Sequence, residues 1–291
     1  MSAPWLLDHA PYTPFTDPRM VSPPGLSPLE PADWFRIDPD FTAQMSEREA
    51  LITELPELVL AADPGAQNVR ALYDRILDHL RAGGLYDFEE KAARRPDGAI
   101  VPLDETNPLA TLGRLIAEDL CLMEQPGTGG EYRLVAATLC FPSRWLLSEK
   151  LGRPLTVIHE PVPDYDDTLA RRVNRMFEAV RPGRPLVRVN WLVHAVAELH
   201  LPLGSAEKAK EPDDLSGPLY LRTERQTMTR IAPGSVVFAI KTSICPLEAL
   251  SPAEAAALGQ ALSQLDPHSI AYRAGSDLHC KALSRLETLA A

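Results

Sequence analysis

The sequence predicts an α+β protein built on an antiparallel sheet, and three observations lead to that prediction. A nearly continuous apolar run from Leu134 to Phe141 has the composition of a strand that is buried on both faces. The strand-like stretches Leu219 to Ile231 and Val236 to Thr242 are separated only by Ala232-Pro233-Gly234-Ser235, which predicts a hairpin. Strands and helices do not alternate strictly along the sequence, so a parallel sheet is not expected.

Composition and charge narrow the class of protein. The 291 residues are 45% hydrophobic and 24% charged, which are ordinary globular values with room for one large or two small domains. The formal net charge of -11 argues against nucleic acid or an anionic membrane surface as a partner. The four cysteines lack zinc spacing, and no signal peptide or membrane-spanning run is visible, so we expect a cytoplasmic location.

Residues 1–40 are predicted to form an extended N-terminal arm. They contain nine prolines, which exclude regular helix and central strand. They also contain aromatic residues, in which disordered tails are usually poor, so we expect the arm to dock its rings on the protein. Residues 41–291 are predicted to form a single domain.

Helical periodicity and capping signals predict the helices. The expected helices begin at a Ser46–Glu49 capping box, at Val69, at Asn107-Pro108, at Asp166-Asp167 and at Ser251-Pro252, with one more over the last 15 or so residues. A short hairpin is expected about Pro96-Asp97-Gly98.

His159 is the first candidate functional residue. A second short apolar run, Leu155 to Ile158, is predicted to be a strand that delivers His159 to the exit Glu160-Pro161-Val162-Pro163. The two prolines restrict the backbone there. Such a placement suits a ligand or catalytic imidazole, and it equally suits a buried histidine with a structural hydrogen bond.

The stretch from Arg222 to Arg230 is the second candidate. Strand alternation places Arg222, Glu224, Gln226, Met228 and Arg230 on one face, and threonines with Arg225 on the other. Such a strand is either an exposed edge protected by charge or the wall of a polar pocket whose arginines bind carboxylates. On the preceding strand, Arg188 and Asn190 share a face, and Trp191 is either a core residue or a cofactor contact.

Several familiar motifs are missing from the sequence. It has no Gly-x-Gly-x-x-Gly after a strand, no Walker loop, no His-Glu-x-x-His and no Gly-x-Ser-x-Gly. A built-in dinucleotide site is therefore not indicated.

An ordered set of short motifs nevertheless resembles one family. The set runs Leu120-Cys-Leu-Met123, Tyr132-Arg-Leu134, Cys140-Phe-Pro-Ser143 with Trp145, Glu149-Lys150, Ile158-His-x-Pro-Val-Pro163, Asn190-Trp191 and Leu221-Arg-x-Glu-Arg-Gln-Thr227. Together these motifs resemble the haem-dependent oxidative N-demethylase family, over roughly residues 30–275.

The resemblance implies a fold, a cofactor and a reaction. It implies a PAS-like domain that binds b-type haem (heme b) and uses O2 to remove a methyl group from a small amine such as dimethylamine, with release of formaldehyde. Electrons would come from NADPH through a separate flavin and iron–sulfur reductase component, which agrees with the missing nucleotide motif. A homo-oligomer is left open.

The resemblance also implies residue roles. His159 would be the proximal iron ligand, with Asn190 and Trp191 in the cofactor site. Arg222 and Arg225 would contact haem propionates or orient bound oxygen, and Glu224 would hold the cationic amine or relay protons.

Two departures from the family pattern leave the substrate open. The Tyr-Lys-Gly of the relatives is Tyr272-Arg-Ala-Gly275 here, and His194 is a second ligand or a core residue. The alternatives to an enzyme are a PAS-type haem or gas sensor without turnover, and a scaffold whose haem site has decayed and which binds another small apolar ligand.

Overall fold

The protein is described here by a computed structural model that covers residues 3–21, 25–127, 130–159, 174–204, 215–273 and 275–291. The strands are β1 Ser27–Pro28, β2 Leu60–Ala62, β3 Asp87–Phe88, β4 Ala92–Arg94, β5 Ile100–Pro102, β6 Asp119–Glu124, β7 Arg133–Thr138, β8 Leu186–His194, β9 Tyr220–Ala232 and β10 Ser235–Pro246. Seven of them form one sheet in the order β1-β8-β9-β10-β6-β7-β2, and β3-β4-β5 form a small second sheet. All pairings within both sheets are antiparallel, so the predicted α+β class with an antiparallel sheet is confirmed.

The helices flank the large sheet. They are α1 Pro18–Val21, α2 Phe41–Glu54, α3 Pro56–Val59, α4 Val69–Gly83, α5 Pro108–Leu115, α6 Leu147–Lys150, α7 Leu155–His159, α8 over residues 174–179, α9 Pro252–Ser263, α10 Pro267–Arg273 and α11 Ser276–Ala290. The predicted helices at Val69, Asn107-Pro108 and Ser251-Pro252 are confirmed, the last with a complete capping box between Ser251 and Glu254.

The β9–β10 hairpin lies at the centre of the sheet. Gly234 in its turn has a φ of +70°, a backbone conformation that glycine adopts at no steric cost. β9 pairs with β8 along one side and with β10 along the other. The interpretation of β9 as an exposed edge is therefore wrong, because both of its edges are hydrogen-bonded and its charged side chains lie inside the protein.

The two faces of this sheet are named here by residues of β9. The front face carries Arg222, Glu224 and Gln226, and the back face carries Arg225 and Thr227. On the back face, α4 packs on Val237 and Ala239 in one cluster, and α9 with α11 pack near Leu221 in another. Burial of these apolar surfaces is the main force that holds the helices to the sheet.

On the front face, short helices cover one end of the sheet. Leu147 of α6, Leu155 of α7 and Phe177 of α8 join one apolar cluster with Met228 and Val236 of the sheet. The segments that follow β7 are thereby fixed against the front face.

The first 40 residues are joined to the sheet at several points. Ser27 pairs with Val187 of β8, and Leu6 forms a bridge with Ile244 of β10. Trp34 is buried and stacks on Phe35 with ring centroids 4.4 Å apart.

Two predicted elements are corrected by the structure. Residues 155–158 form the helix α7 rather than a strand, because Leu155 and Ile158, three positions apart, place their side chains on one helical face toward the core. A four-residue apolar run cannot decide between the two by periodicity. Pro161 and Pro163, which were expected to stiffen the exit, lie outside the described residues.

The capping box predicted at Ser46–Glu49 is also wrong. α2 begins at Phe41, so both residues lie inside the helix, where Glu49 accepts hydrogen bonds from Arg114. Asp40 precedes the helix, and its carboxylate binds Lys241 instead of capping.

Two further predicted elements are confirmed by the structure. The hairpin about Pro96–Gly98 is confirmed as β4–β5, and the last helix as α11. The predicted helix start at Asp166-Asp167 lies outside the described residues.

Candidate functional site

Strand register brings a polar group of side chains together on the front face. Asn190 of β8 lies opposite Glu224 of β9, and Arg188 lies opposite Gln226. Directly opposite side chains on one face of an antiparallel pair are about 5 Å apart at Cβ. The front face therefore presents two adjacent cross-strand polar pairs. Alternation predicted the shared face within each strand, and the pairing of β8 with β9 comes from the structure.

Glu224 is the centre of this group. Its Oε2 accepts hydrogen bonds from Asn190 Nδ2 at 3.3 Å and from Gln226 Nε2 at 3.0 Å. Its Oε1 lies 3.7 Å from Nε of Arg222, which forms an ion pair without hydrogen-bond contact. Three neighbours thus fix the orientation of a carboxylate that is only 9% exposed.

Arg222 is fully buried beneath the site, and both terminal nitrogens of its guanidinium group already donate hydrogen bonds within the protein. It donates to the backbone carbonyls of Phe141 at 2.6 Å and Leu199 at 3.0 Å. Burial lowers the pKa of Arg222, against the opposing charge of Glu224. Arg222 therefore ties the Cys140-Phe-Pro-Ser143 segment to β9 and keeps a positive charge behind Glu224.

Apolar side chains surround the polar group. On the front face, Gln226, Phe238 and Ile240 are half-buried, as is Leu192 of β8. On the back face of the same two central strands, Thr227 and Ala239 are buried. The front face is therefore the less covered side of the sheet centre, and it combines a few fixed polar groups with apolar surface, as ligand sites do.

Two of the predicted site residues lie on the other side of the sheet. Arg225 points to the back face, where it donates to the backbone carbonyls of Asp33 at 2.6 Å and Trp34 at 3.2 Å. Trp191 also faces the back, against Phe15 with ring centroids 6.0 Å apart. The structure does not bring these two residues to Glu224, and the roles assigned to them stay predictions.

His159 is the last residue of α7. Leu155 and Ile158 of that helix pack in the front-face cluster, so the backbone of His159 lies on the side of the sheet that carries Glu224. Its side chain lies outside the described part of the structure.

His194 ends β8 on the same face. Its imidazole is 7% exposed, and Nε2 is buried with no hydrogen-bond partner among the described residues. Burial, assisted by the positive charges of Arg222 and Arg144, lowers the pKa of His194 to about 3. His194 is therefore neutral at physiological pH, the state in which imidazole binds metal.

Sequence reasoning did not assign Gln226, Phe238 or Ile240 to the site. The period-2 alternation already placed Gln226 with Glu224, but only the pairing of β9 with β10 shows that Phe238 and Ile240 lie beside them. Among the described residues, no group of three or more His, Cys, Asp or Glu side chains is arranged to hold a metal ion.

The antiparallel sheet and its front face define an α+β protein with a mixed polar and apolar surface suited to a small ligand. Residues 25–283 match the model of the family described as haem-dependent oxidative N-demethylase, alpha subunit-like, and the chain belongs to this family. The resemblance inferred from the motifs is thereby confirmed. Comparison with individually curated proteins finds no match. Within the described ranges, none of the helices has the length and apolar character needed to cross a membrane.

Proposed function

We propose that this protein is the haem-binding catalytic component of an oxidative N-demethylase that acts on a small methylated amine. The observation that carries the proposal is the fixed carboxylate of Glu224 among half-buried apolar side chains, in a chain whose family is named for haem-dependent N-demethylation. Residues 41–291 form the PAS-like domain in this proposal, with residues 1–40 as its arm. The antiparallel sheet, with the helices between β7 and β8 packed on its front face, supports the PAS-like assignment.

The residues of the front face fit a haem. A porphyrin needs apolar surface, which Leu192, Phe238 and Ile240 offer, and its iron needs an uncharged imidazole. His194 Nε2 is buried on this side of the sheet and has no hydrogen-bond partner among the described residues, which supports an imidazole ligand on this face. We propose His159 as the iron ligand, because α7 places its backbone on this face, and His194 as the alternative.

The roles of the polar residues follow from their contacts. Glu224 attracts a cationic amine, and Asn190 and Gln226 hold its Oε2 in place. Arg222, bound to three backbone carbonyls, positions Glu224 and the Phe141 segment. Arg225 holds residues 33–34 against the back of the sheet, so we assign it a positioning role.

The chemistry is divided between cofactor and protein. When bound, the haem supplies the oxidation of the methyl carbon by O2, while the protein orients the amine and supplies protons. In balance, the N-methyl amine, O2, two electrons and two protons give the demethylated amine, formaldehyde and water. The sequence has no nucleotide motif, so we propose that the electrons arrive from NADPH through a separate flavin and iron–sulfur reductase.

Absorption spectroscopy with formaldehyde detection tests this proposal on the full chain expressed with a haem precursor. We expect a Soret band in the wild type and its loss or shift in His159→Ala, with His9→Ala, an exposed histidine, as the unchanged control. If the spectrum is unchanged in His159→Ala and changed in His194→Ala, His194 rather than His159 is the iron ligand. A colourless wild type contradicts the proposal.

Glu224→Gln separates catalysis from haem binding. The substitution keeps the size of the side chain but removes the charge that attracts the amine. We expect an unchanged Soret band and a fall of roughly 100-fold in formaldehyde release. Glu178→Gln, on an exposed position, is the control. A wild-type protein that binds haem and releases no formaldehyde from any methylated amine is instead the PAS-type sensor.

A further inference from the structure

Arg188 is a charged group on the front face that the proposed function does not use. It lies on β8 directly opposite Gln226, half-buried, one cross-strand pair away from Glu224. Its Nε is buried with no hydrogen-bond partner among the described residues. A buried guanidinium nitrogen is costly without a partner, and none of the described residues supplies one, so this position favours a bound ligand as the partner.

The charges on this part of the face do not balance. Glu224 is the carboxylate of the group, and it already forms an ion pair with Arg222. Arg222 otherwise donates hydrogen bonds to backbone carbonyls and to the hydroxyl of Thr242, which carry no net charge. Asp119, whose charge also acts on Arg222, is itself paired with Arg48. Among the described residues, the two guanidinium groups and one carboxylate of this group therefore leave a net charge of about +1 in a partly desolvated site, which favours binding of one more anion.

The chemistry of Arg188 selects the kind of anion. A guanidinium presents N–H donors in a planar fork that matches a carboxylate in bidentate fashion. Burial lowers the pKa of Arg188, whereas the charge of Glu224 opposes that shift. A bound carboxylate would reverse the effect of burial, because it stabilises the charged guanidinium.

Arg188 and Glu224 are diagonal neighbours across the β8–β9 pair. Such neighbours lie roughly 7–8 Å apart at Cα, so a small molecule can reach both side chains. A ligand that satisfies them together carries a cationic amine for Glu224 and a carboxylate for Arg188. An N-methyl amino acid carries both charges one carbon apart.

We propose that Arg188 binds a carboxylate of the substrate and that the substrate class is N-methylated amino acids rather than simple alkylamines. The inference rests on the proposed function for its reaction but not for its binding. A haem also carries carboxylates, so the experiment must separate the two sources of the same chemistry.

Calorimetric titration of the haem-loaded protein, without an electron donor, measures binding apart from turnover. The probes are N-methylglycine and dimethylamine, which differ by the carboxylate. We expect the wild type to bind N-methylglycine at least tenfold more tightly. We expect Arg188→Gln to weaken N-methylglycine at least tenfold and to leave dimethylamine within about twofold.

Three controls keep the test decisive. Arg184→Gln removes an equal charge from an exposed position four residues earlier and should change neither affinity. Arg188→Lys keeps the charge without the fork and should retain part of the preference. Haem content per chain and the melting temperature, measured for each variant, show that it is folded and loaded.

The outcomes are distinct. Equal affinities of the wild type for the two probes, or an unchanged preference in Arg188→Gln, overturn the inference. If Arg188→Gln loses haem but still prefers N-methylglycine to dimethylamine, the substrate assignment is overturned, and Arg188 instead binds a carboxylate of the haem. Arg188-dependent binding of N-methylglycine without formaldehyde release supports the inference while the demethylase proposal fails.

Discussion

The pKa of Glu118 depends strongly on the surroundings of its carboxyl group. It is 1% exposed, its Oε1 accepts a hydrogen bond from the backbone N–H of Arg36 at 2.9 Å, and its Oε2 has no partner among the described residues. Burial raises the pKa of Glu118 to about 7, although the charges of Lys241 and Arg225 oppose the shift. A group with these properties makes folding stability depend on pH.

The sign of that dependence follows from the proton balance. Between about pH 4.5 and 7, native Glu118 holds a proton that the unfolded chain has released. The free energy of unfolding therefore falls as pH rises through this window. Glu118→Gln imitates the protonated form, so we expect it to match the wild type near pH 4.5 and to exceed it by about 3 kcal/mol at pH 8.

Urea denaturation of both proteins between pH 4.5 and 8 measures this difference. Glu105→Gln, an exposed carboxylate paired with Arg70, is the control and should show no gain at high pH. A difference between wild type and Glu118→Gln that stays constant across the range contradicts the assignment.

For the residues of β9, the sequence predicted which side chains share a face but not the separate role of each. Alternation along residues 222–230 correctly placed Glu224 with Arg222 and Gln226. It equally placed Arg225 on the other face, but it gave no reason to separate the roles of Arg222 and Arg225. Their hydrogen-bond partners come from segments at least 20 positions away along the chain, which local sequence does not contain.

Among the individual elements, helix α5 packs unusually closely on its neighbours, and the residue at the contact is Gly113. A Cβ at Gly113 would lie 2.6 Å from Thr138 Cγ2 and 2.7 Å from Ile52 Cδ1. The backbone of α5 therefore touches β7 and α2, and the carbonyl of Gly113 accepts a hydrogen bond from the buried Arg48. The three elements can approach this closely only because Gly113 has no side chain.

Gly113→Ala tests this packing. Helix propensity favours alanine by about 1 kcal/mol, whereas overpacking of a filled core costs about 1–3 kcal/mol. We expect the clash to prevail, with a net loss of about 1–2 kcal/mol in the free energy of unfolding. Urea denaturation measures it.

Gly83→Ala is the matched control for that substitution. Gly83 is the last residue of α4, and a Cβ there would meet no atom within 4 Å. We expect Gly83→Ala to be neutral or stabilising by up to about 1 kcal/mol. If Gly113→Ala is also neutral or stabilising, helix propensity rather than packing determines the effect at position 113.

At the scale of the whole molecule, haem binding should be linked to stability. The front face is formed by β8, β9 and β10 and bordered by α6, α7 and α8, so elements from distant parts of the chain meet there. A ligand that binds only this assembled state stabilises it by about 2.7 kcal/mol at one hundred times its Kd. For a chain of this size that corresponds to a rise of roughly 5–10 °C in Tm.

Thermal unfolding of haem-loaded and haem-free protein checks the expectation. His159→Ala should lose most of the haem-dependent rise, whereas His9→Ala should keep it. An identical Tm with and without haem would show that haem does not bind the native front face.

A buried charge pair also joins distant parts of the molecule. Lys241 of β10 donates to both oxygens of Asp40, at 3.0 and 3.1 Å, and to Gln44 Oε1 at 3.0 Å. Lys241 and Asp40 are fully buried, so each needs the other to remain charged in the interior. The sequence shows a lysine in a strand and an aspartate before a helix, and nothing local pairs them.

The antiparallel α+β class, the β9–β10 hairpin, most helices, the family and the polar face of β9 could all be predicted from the amino-acid sequence. These features depend on periodicity, turn residues and motifs, which are local properties of the chain. Tertiary packing alone shows that β9 is central, that residues 155–158 are helical, and that Nε of Arg188, beside Glu224, has no hydrogen-bond partner among the described residues. Those outcomes depend on which distant segments pack together, because burial and pairing energies outweigh local preference.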